Sequence, residues 1–578
     1  MMIFSVKDFG FYRLVNFCLL ILICGSNVNG EVFTALVDLE KLLEIERTIV
    51  SSLDSYLIGE ERRLRQLKSI REKFASIESI ASQDVQSYLA NPVNAFLLVK
   101  TLTSDWRNAE ALMVEKSYET GQQLIYRVQN SSGETFPSAE DFNGAADALL
   151  RLQDTYKLDT SSLARGEIRI AQQPQHHPLY DSSNPDDSPF TLVSPKRVEL
   201  SAGDCFDLGK YSYVNGDHYH TILWMQEALD RWEEESLKTA DKAEILEYLA
   251  FSTFRRGNVR HALKLTNELL RLAPNHPRAV GNKVYYEEVL GHSGKAKLRG
   301  DVGDDDEVPI DENISTVDSP VTQERQSYEA LCRGETILPQ RITKTLNCFY
   351  LNTTNKHPYL RYTRIKVEEA YKKPLILIYH DIMSDNEMET IKQLALPRLK
   401  RATVQNHKTG KLEAAHYRIS KSAWLKGTDD QVVDRVNQRI EDISGLTVDT
   451  AEELQVVNYG IGGHYEPHYD FATQKEMDYH KADPFAGLGT GNRIATWLNY
   501  MSNVEAGGAT VFPTLELTLW PKKGSAAFWY NLHPSGDGDL LTRHAACPVL
   551  VGSKWVSNKW FHERGQELRR PCGLKRND

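Results

Sequence analysis

Apolar residues between position 31 and about position 80 recur at helical intervals. Leu43, Val50, Leu53, Leu57, Leu64, Leu67 and Phe74 follow one another by threes, fours and sevens, which lines one face of a helix and approaches a heptad seam. Glu46, Glu60 and Arg71 interrupt that seam. A short coiled coil for self-association and an amphipathic helix packed on its own domain both fit, and helical patterning continues to residue 172. Residues 173–199 turn to Pro, Asp, Ser and His, the composition of a linker, within which the His176-His177 pair reads as solvated loop. After residue 326 the period shortens. Segments such as Leu375-Ile-Leu-Ile-Tyr379, Leu454-Gln-Val-Val-Asn-Tyr459, Arg493-Ile-Ala-Thr-Trp-Leu498 and Ala526-Ala-Phe-Trp-Tyr530 alternate with Gly and Pro turns, as strands of a double-sheet jelly roll do.

Residues 200–291 carry an echo. Phe206-Asp-Leu-Gly-Lys-Tyr211-Ser-Tyr213-Val-Asn-Gly216 returns as Tyr248-Leu-Ala-Phe251-Ser-Thr-Phe254-Arg-Arg-Gly257, closed by Ala273-Pro274-Asn-His-Pro277. This resembles tetratricopeptide repeats, in which a small residue lets two helices cross and a proline ends the unit. Gly216 and Gly257 lie farther apart than the usual repeat of about 34 residues, so an insertion is expected between them. His218 and His220 stand two apart on a predicted helix and do not share a face, which argues against a metal pair there. Asp301, Asp304, Asp305, Asp306, Glu307, Asp311 and Glu312 make 292–325 an acidic spacer. The predicted architecture is multidomain: an α-helical N-terminal half and a C-terminal double-stranded β-helix over 326–578.

Charge and cysteines narrow the setting. Against 68 basic residues stand 79 acidic ones, a net charge of −11, which argues against a partner such as nucleic acid. Lys7 and Arg13 precede an apolar run from Leu14 to Cys24 that is short for a membrane span, and Val28 and Gly30 suit a cleavage site. A signal peptide over 1–30 is therefore expected, followed by a lumenal chain without a membrane span. Of the seven cysteines, Cys18 and Cys24 leave with that peptide. In an oxidising compartment Cys332 with Cys348 and Cys547 with Cys572 are the natural local pairs, with Cys205 left over. Asn130, Asn313 and Asn352 head glycosylation triplets. The closing Lys-Arg-Asn-Asp is no receptor-read retention signal, so residence in the endoplasmic reticulum would depend on a partner.

The chemistry concentrates in Tyr465-Glu-Pro-His468-Tyr-Asp470 and, far downstream, Thr542-Arg-His544 and Lys554. Residues two apart on a strand point to one side, so His468 and Asp470 can face one metal, with His544 as a third ligand. Two neutral nitrogens and one carboxylate on a single face of an octahedron suit ferrous iron and leave three adjacent positions open, which a closed four-ligand structural zinc site would not. Lys554 offers a cation for the far end of a dicarboxylate, against the commoner fate of a lysine at a strand edge.

From about Tyr459 to Cys572 the chain resembles the catalytic domain of animal collagen prolyl 4-hydroxylase α subunits. The likeness runs through Gly491-Asn-Arg-Ile-Ala-Thr-Trp, Gly507-Gly-Ala-Thr-Val-Phe-Pro, Trp520-Pro-Lys-Lys-Gly, Thr542-Arg-His-Ala-Ala-Cys-Pro and Lys554-Trp-Val-Ser-Asn-Lys-Trp-Phe-His562. The resemblance implies that His468, Asp470 and His544 bind Fe(II), that Lys554 and, near it, Tyr459 hold 2-oxoglutarate, and that His562 assists co-substrate binding and turnover. It implies a helical N-terminal dimerisation domain over 31–172. It further makes 200–291 a peptide-binding domain whose groove takes a polyproline II collagen-like peptide, with Tyr248, Arg278 and Tyr285 matching groove positions. Phe251 and Phe254 depart from the pattern, standing where tyrosines are typical. O2 as co-substrate, L-ascorbate, and protein disulfide isomerase as β subunit of an α2β2 tetramer are also implied, as is hydroxylation of proline at C4. A non-catalytic collagen-binding chaperone and a hydroxylase of another peptide residue are the competing readings.

Overall fold

A computed structural model describes residues 61–114, 139–170, 190–193, 197–293, 320–351, 364–405, 412–414, 417–473 and 489–573. The expected signal peptide, Leu43, Val50, Leu53 and Leu57 of the heptad, His176-His177, the acidic run 301–312 and all three glycosylation triplets at Asn130, Asn313 and Asn352 lie outside those residues. Contacts divide the chain into one unit of residues 1–75 with 109–122 and another of 76–108 with 123–578. Within the first, the residues 61–75 are helical, Leu64 is half exposed and Leu67 and Phe74 are partly so, and Arg63 donates to the Leu112 carbonyl at 2.8 Å. No helix of the described residues is long and apolar enough to cross a membrane.

Early in the larger unit lie α1 (Pro92–Lys100), started by the Asn91 side chain, and α2 (Ala139–Tyr156). Residues 202–293 then form five helices: α3 (Ala202–Val214), α4 (His218–Glu234), α5 (Lys242–Arg255), α6 (Val259–Leu272) and α7 (Pro277–Ser293). The echoed sequence motif encodes a repeated turn. Gly216 and Gly257 adopt φ of +77° and +92°, and the next residues, Asp217 and Asn258, cap the following helices through the N–H groups of His220 and His261. A β-carbon at Gly209 would come within 2.9 Å of Met225, so glycine permits the close crossing of α3 and α4. The wide glycine spacing arises from a 17-residue α4 and the connection 235–241.

Helix α2 joins this layer to the β-domain. On one side Asp147 accepts from the Tyr211 hydroxyl at 2.6 Å, Gln153 from the Trp224 indole at 3.0 Å, and Asp154 lies 3.0 Å from His220. On the other, Tyr156 donates to the Pro548 carbonyl at 2.5 Å and Arg151 to the Gly462 carbonyl at 3.1 Å. His220 is buried, yet Asp154 and Asp217 overcome that desolvation and raise its pKa to about 9. Lys100 is equally enclosed, 2.6 Å from both Asp105 and Asp204, which ties α1 to α3.

After α8 (Pro320–Cys332), which starts inside the segment read as acidic spacer, the chain turns to strands. Those used below are β1 (Cys348–Leu351), β2 (Ile365–Lys372), β3 (Leu375–His380), β4 (Lys400–Arg401), β5 (Arg418–Ile419), β6 (Lys421–Leu425), β7 (Leu454–Tyr459), β8 (His464–His468), β9 (Arg493–Tyr500), β10 (Thr510–Phe512), β11 (Leu517–Leu519), β12 (Ala526–Tyr530), β13 (His544–Ala546) and β14 (Lys554–His562). Among the described residues a nine-stranded sheet runs β1-β2-β3-β12-β9-β14-β7-β6-β4 and a five-stranded sheet β11-β10-β13-β8-β5. Two facing antiparallel sheets are the jelly-roll plan expected. Alternation divides each central strand between two cores. Ala495, Trp497 and Phe561 pack with α9 (Asp385–Ala395) and α10 (Gln431–Ser444) outside the large sheet, whereas Leu498, Tyr500 and Val556 meet Phe512 and Leu517 of the small sheet.

The disulfide expectation is corrected. Cys332 is bonded to Cys547, their Cα atoms 5.5 Å apart, while Cys348 and Cys572 are exposed thiols and Cys205 is a buried one. Sequence proximity misleads because α8 folds back onto the small sheet and carries Cys332 to the residue following β13, whereas Cys348 sits on the outermost strand of the large sheet. Peptide mapping without reduction should recover Cys332 joined to Cys547, with Cys348 and Cys572 alkylated in the native protein. Opening this bridge, which spans 215 residues, by Cys332→Ser should cost roughly 2–5 kcal/mol; recovery of Cys332–Cys348 and Cys547–Cys572 peptides would reinstate local pairing.

Candidate active site

His468 and His544 face each other directly across β8 and β13. Asp470 lies just past the end of β8, in a bend, so strand alternation is not what aims it. A register shift between Tyr465 and His468 likewise breaks simple alternation and stacks the two rings at 3.5 Å between centroids. The three groups nevertheless converge. Their ligand atoms lie within 4.8 Å of one another, with His468 Nε2 3.7 Å and His544 Nε2 3.5 Å from the Asp470 carboxylate.

The surroundings prepare these groups as ligands. Nδ1 of His468 donates to the Glu466 carbonyl at 2.8 Å and Nδ1 of His544 to the Thr542 carbonyl at 2.9 Å, which turns both Nε2 atoms toward Asp470. Burial lowers the pKa of His544 to about 4, so its ring is neutral at pH 7. Burial of Asp470 favours its protonated form, but His544, His468 and Arg493 outweigh it and hold the carboxyl well below the usual range. Thr496 donates to Asp470 at 2.7 Å and in turn accepts from Asn531 at 2.9 Å. Two imidazole nitrogens and one carboxylate oxygen on one side of a point fit a divalent iron with open positions.

Lys554 is 2% exposed, and burial alone lowers its pKa to about 7. It pairs with Tyr459 across β7 and β14, its ammonium 5.5 Å from that ring and 5.9 Å from Tyr500. Burial pushes the Tyr459 hydroxyl up to about 12, and Tyr500 donates to Thr510 at 2.9 Å. An enclosed amine beside two tyrosines is a candidate partner for an anion. Tyr500 and Thr510 escaped sequence reasoning, since in the text they are ordinary strand residues.

His562 is fully buried and stands apart from this convergence. Its Nδ1 faces the Gly491 carbonyl at 2.6 Å and its Nε2 faces Glu452 at 3.0 Å. Glu452 also receives Arg493, whose Nη2 donates at 2.9 Å and whose Nη1 reaches the Asp470 carbonyl at 3.3 Å. The geometry thus joins His562 to the metal ligands through Glu452 and Arg493. Neither of those two was anticipated, and no spacing motif marks them.

Across the helical layer the expected groove residues form two aromatic groups. Tyr248 lies 4.8 Å from Tyr213, and Phe251 5.8 Å from Tyr213 and 6.0 Å from His218. Phe254 stacks on Tyr286 at 4.6 Å and meets the half-exposed Tyr285 at 5.6 Å. Arg278 grips Glu247 with two bonds, at 2.6 and 3.1 Å. Tyr213, His218 and Tyr286 extend the sequence-derived set.

Comparison with known proteins agrees with this division. Residues 35–170 match the family described as prolyl 4-hydroxylase alpha-subunit, N-terminal region; 202–292 match the prolyl 4-hydroxylase peptide-substrate-binding domain; and 454–562 match the 2OG-Fe(II) oxygenase superfamily. The chain is 47% identical to prolyl 4-hydroxylase subunit alpha-1 of Mus musculus over 557 residues, covering 96% of this chain and 98% of that protein. It is 45% identical to subunit alpha-2 of Caenorhabditis elegans, covering 96% of each. A solved viral collagen prolyl hydroxylase aligns with 32% of this chain and 94% of its own at 24% identity; its TM-score of 0.26 is too low to compare geometry.

Because Lys554 must be charged to bind a carboxylate but titrates near 7 when empty, dicarboxylate binding above that pH takes up a proton. With iron present and oxygen excluded, 2-oxoglutarate affinity should fall about tenfold for each pH unit above roughly 7. Calorimetry in buffers of different ionisation enthalpy should register that uptake at pH 8. Lys554→Met should abolish it and weaken binding on the order of 100-fold; an affinity flat from pH 6 to 9 in the native chain would refute the assignment.

Proposed function

The chain belongs to the family of prolyl 4-hydroxylase α subunits, and from that premise we propose that it is the catalytic α subunit of a procollagen-proline 4-dioxygenase. The reaction consumes a peptidyl proline, O2 and 2-oxoglutarate and yields 4-hydroxyproline, succinate and CO2. The observation that carries this reading is the convergence of His468, Asp470 and His544, with Lys554 enclosed between the same two sheets. A collagen-binding chaperone has no use for those four groups together.

His468, Asp470 and His544 would hold Fe(II), which when bound supplies the oxidising chemistry that no side chain can. The residues contribute the rest. Thr496 and Arg493 fix Asp470, the Glu466 and Thr542 carbonyls fix the two rings, and Lys554 beside Tyr459 takes the distal carboxylate of 2-oxoglutarate, orienting its keto acid end. His562 acts through Glu452 and Arg493 to seat Asp470. Enclosure by the sheets excludes bulk water from the oxidation.

The aromatic groove over Tyr248, Phe251, Phe254, Arg278 and Tyr285 would hold a polyproline II peptide, whose extended form costs little entropy on docking. At Phe251 and Phe254 apolar stacking persists while a tyrosine's hydroxyl bonds are lost. Beyond catalysis we place the protein in the endoplasmic reticulum lumen, with L-ascorbate as the reductant that sustains turnover. Protein disulfide isomerase serves as β subunit of an α2β2 tetramer, and the N-terminal helical region mediates self-association.

Incubating the assembled protein with a (Pro-Pro-Gly) repeat peptide, iron, ascorbate and 2-oxoglutarate should give one succinate for each 4-hydroxyproline. Asp470→Asn should reduce turnover at least 100-fold while groove affinity for the peptide stays within about twofold. Peptide binding without succinate would identify the chaperone instead, and oxidation confined to lysine a different hydroxylase.

A further inference from the structure

Helix α8 lies along the small sheet, where both histidine ligands reside. Its Ser327 hydroxyl approaches the Pro513 carbonyl at 3.4 Å, the Leu331 carbonyl accepts from Thr518 at 3.3 Å, and Cys332 is bonded to Cys547. Near its first turn Glu324 engages Arg543 with both carboxylate oxygens, the Nη2 contact at 3.2 Å.

Arg543 occupies a special place in the chain. It stands between Thr542, whose carbonyl holds the His544 ring, and His544 itself. Its guanidinium lies 5.2 Å from the ring centre of Tyr469, the residue between His468 and Asp470. One side chain thus touches both segments that must converge for the metal, and Glu324 fixes that side chain from a helix outside the sheet. The next residue of α8, Arg325, makes a looser approach to Glu466, whose carbonyl orients His468, at 3.8 Å.

We propose that Glu324 is a positioning residue for the iron site, acting through Arg543 to hold the His544 segment against the His468–Asp470 segment. It touches no ligand. The proposal rests on the iron reading of the triad and extends it to the helix by which the chain enters the catalytic domain. Because the two side chains of the pair are 28% and 32% exposed, their loss should matter little to global stability. The effect belongs in the geometry of the site, where groups that orient metal ligands typically govern affinity by 10–100-fold.

The test uses Co(II) as probe on the full chain in its native assembly. Stoichiometric binding in the native protein that is lost in His544→Ala establishes the triad as the site; failure at that step overturns the iron reading and this proposal together. With that established, Glu324→Ala should release Co(II) about tenfold more readily and alter its d–d absorption. Glu324→Gln, which keeps an acceptor oxygen, should recover part of the loss. The melting temperature of the metal-free protein and peptide affinity at the groove should not move. Unchanged metal affinity and spectrum in both variants would overturn the positioning role, as would a fall in metal affinity matched by equal falls in melting temperature and groove binding.

Discussion

Keeping Asp470 ionised while it is buried between two sheets is the requirement on which the catalytic domain depends. Desolvation alone would protonate it, and a protonated carboxyl is a poor ligand. Its neighbours His544, His468 and Arg493 and the Thr496 hydroxyl reverse that tendency. The same need propagates outward. Arg493 can sit beside Asp470 only because Glu452 balances it, and Glu452 is held in turn by His562. Asp470, Arg493, Glu452 and His562 thus form one chain of buried polar contacts, which links His562 to the converging triad.

Lys554 illustrates the opposite arrangement. Among the described residues it is enclosed without a neighbouring carboxylate to hold its charge, and burial lowers its pKa. A satisfied lysine such as Lys100, with Asp204 and Asp105 against it, shows what the fold does when stability is the object. The contrast is what supports reading Lys554 as a residue for a ligand and Lys100 as one for packing.

Much of this was legible in the sequence, for identifiable reasons. Long β-rich segments bounded by glycine and proline located the central strands, and the echoed segments ending at Gly216 and Gly257 located the helical repeats. His468, Asp470, His544 and Lys554 stood out through the family resemblance of the motifs that carry them, each being a weak signal alone. What escaped was set by three-dimensional pairing. Glu452 and Arg493 meet across 41 residues of chain, Thr496 is an unremarkable threonine in a hydrophobic strand, and the reach of Cys332 to Cys547 follows from how α8 folds back. The strand-alternation argument for His468 and Asp470 joined residues that do converge, but through an incomplete mechanism, since a bulge and a bend do the aiming.

The helical half and the β-domain solve different parts of one recognition problem. Oxidation needs a single proline at a buried centre, where few contacts with a long peptide can be made. On the proposed reading, the aromatic groove from Tyr213 to the exposed Tyr285 provides those contacts elsewhere, on rings whose faces suit an already extended chain. Holding a multiproline peptide at one place raises its effective concentration at the other, which helps only if the two do not drift apart. Helix α2 supplies that constancy: Asp147, Gln153 and Asp154 grip the repeats while Arg151 and Tyr156 grip loops of the β-domain. A groove of modest affinity can then serve a long repetitive substrate, because each release from the oxidation centre leaves further prolines held close by.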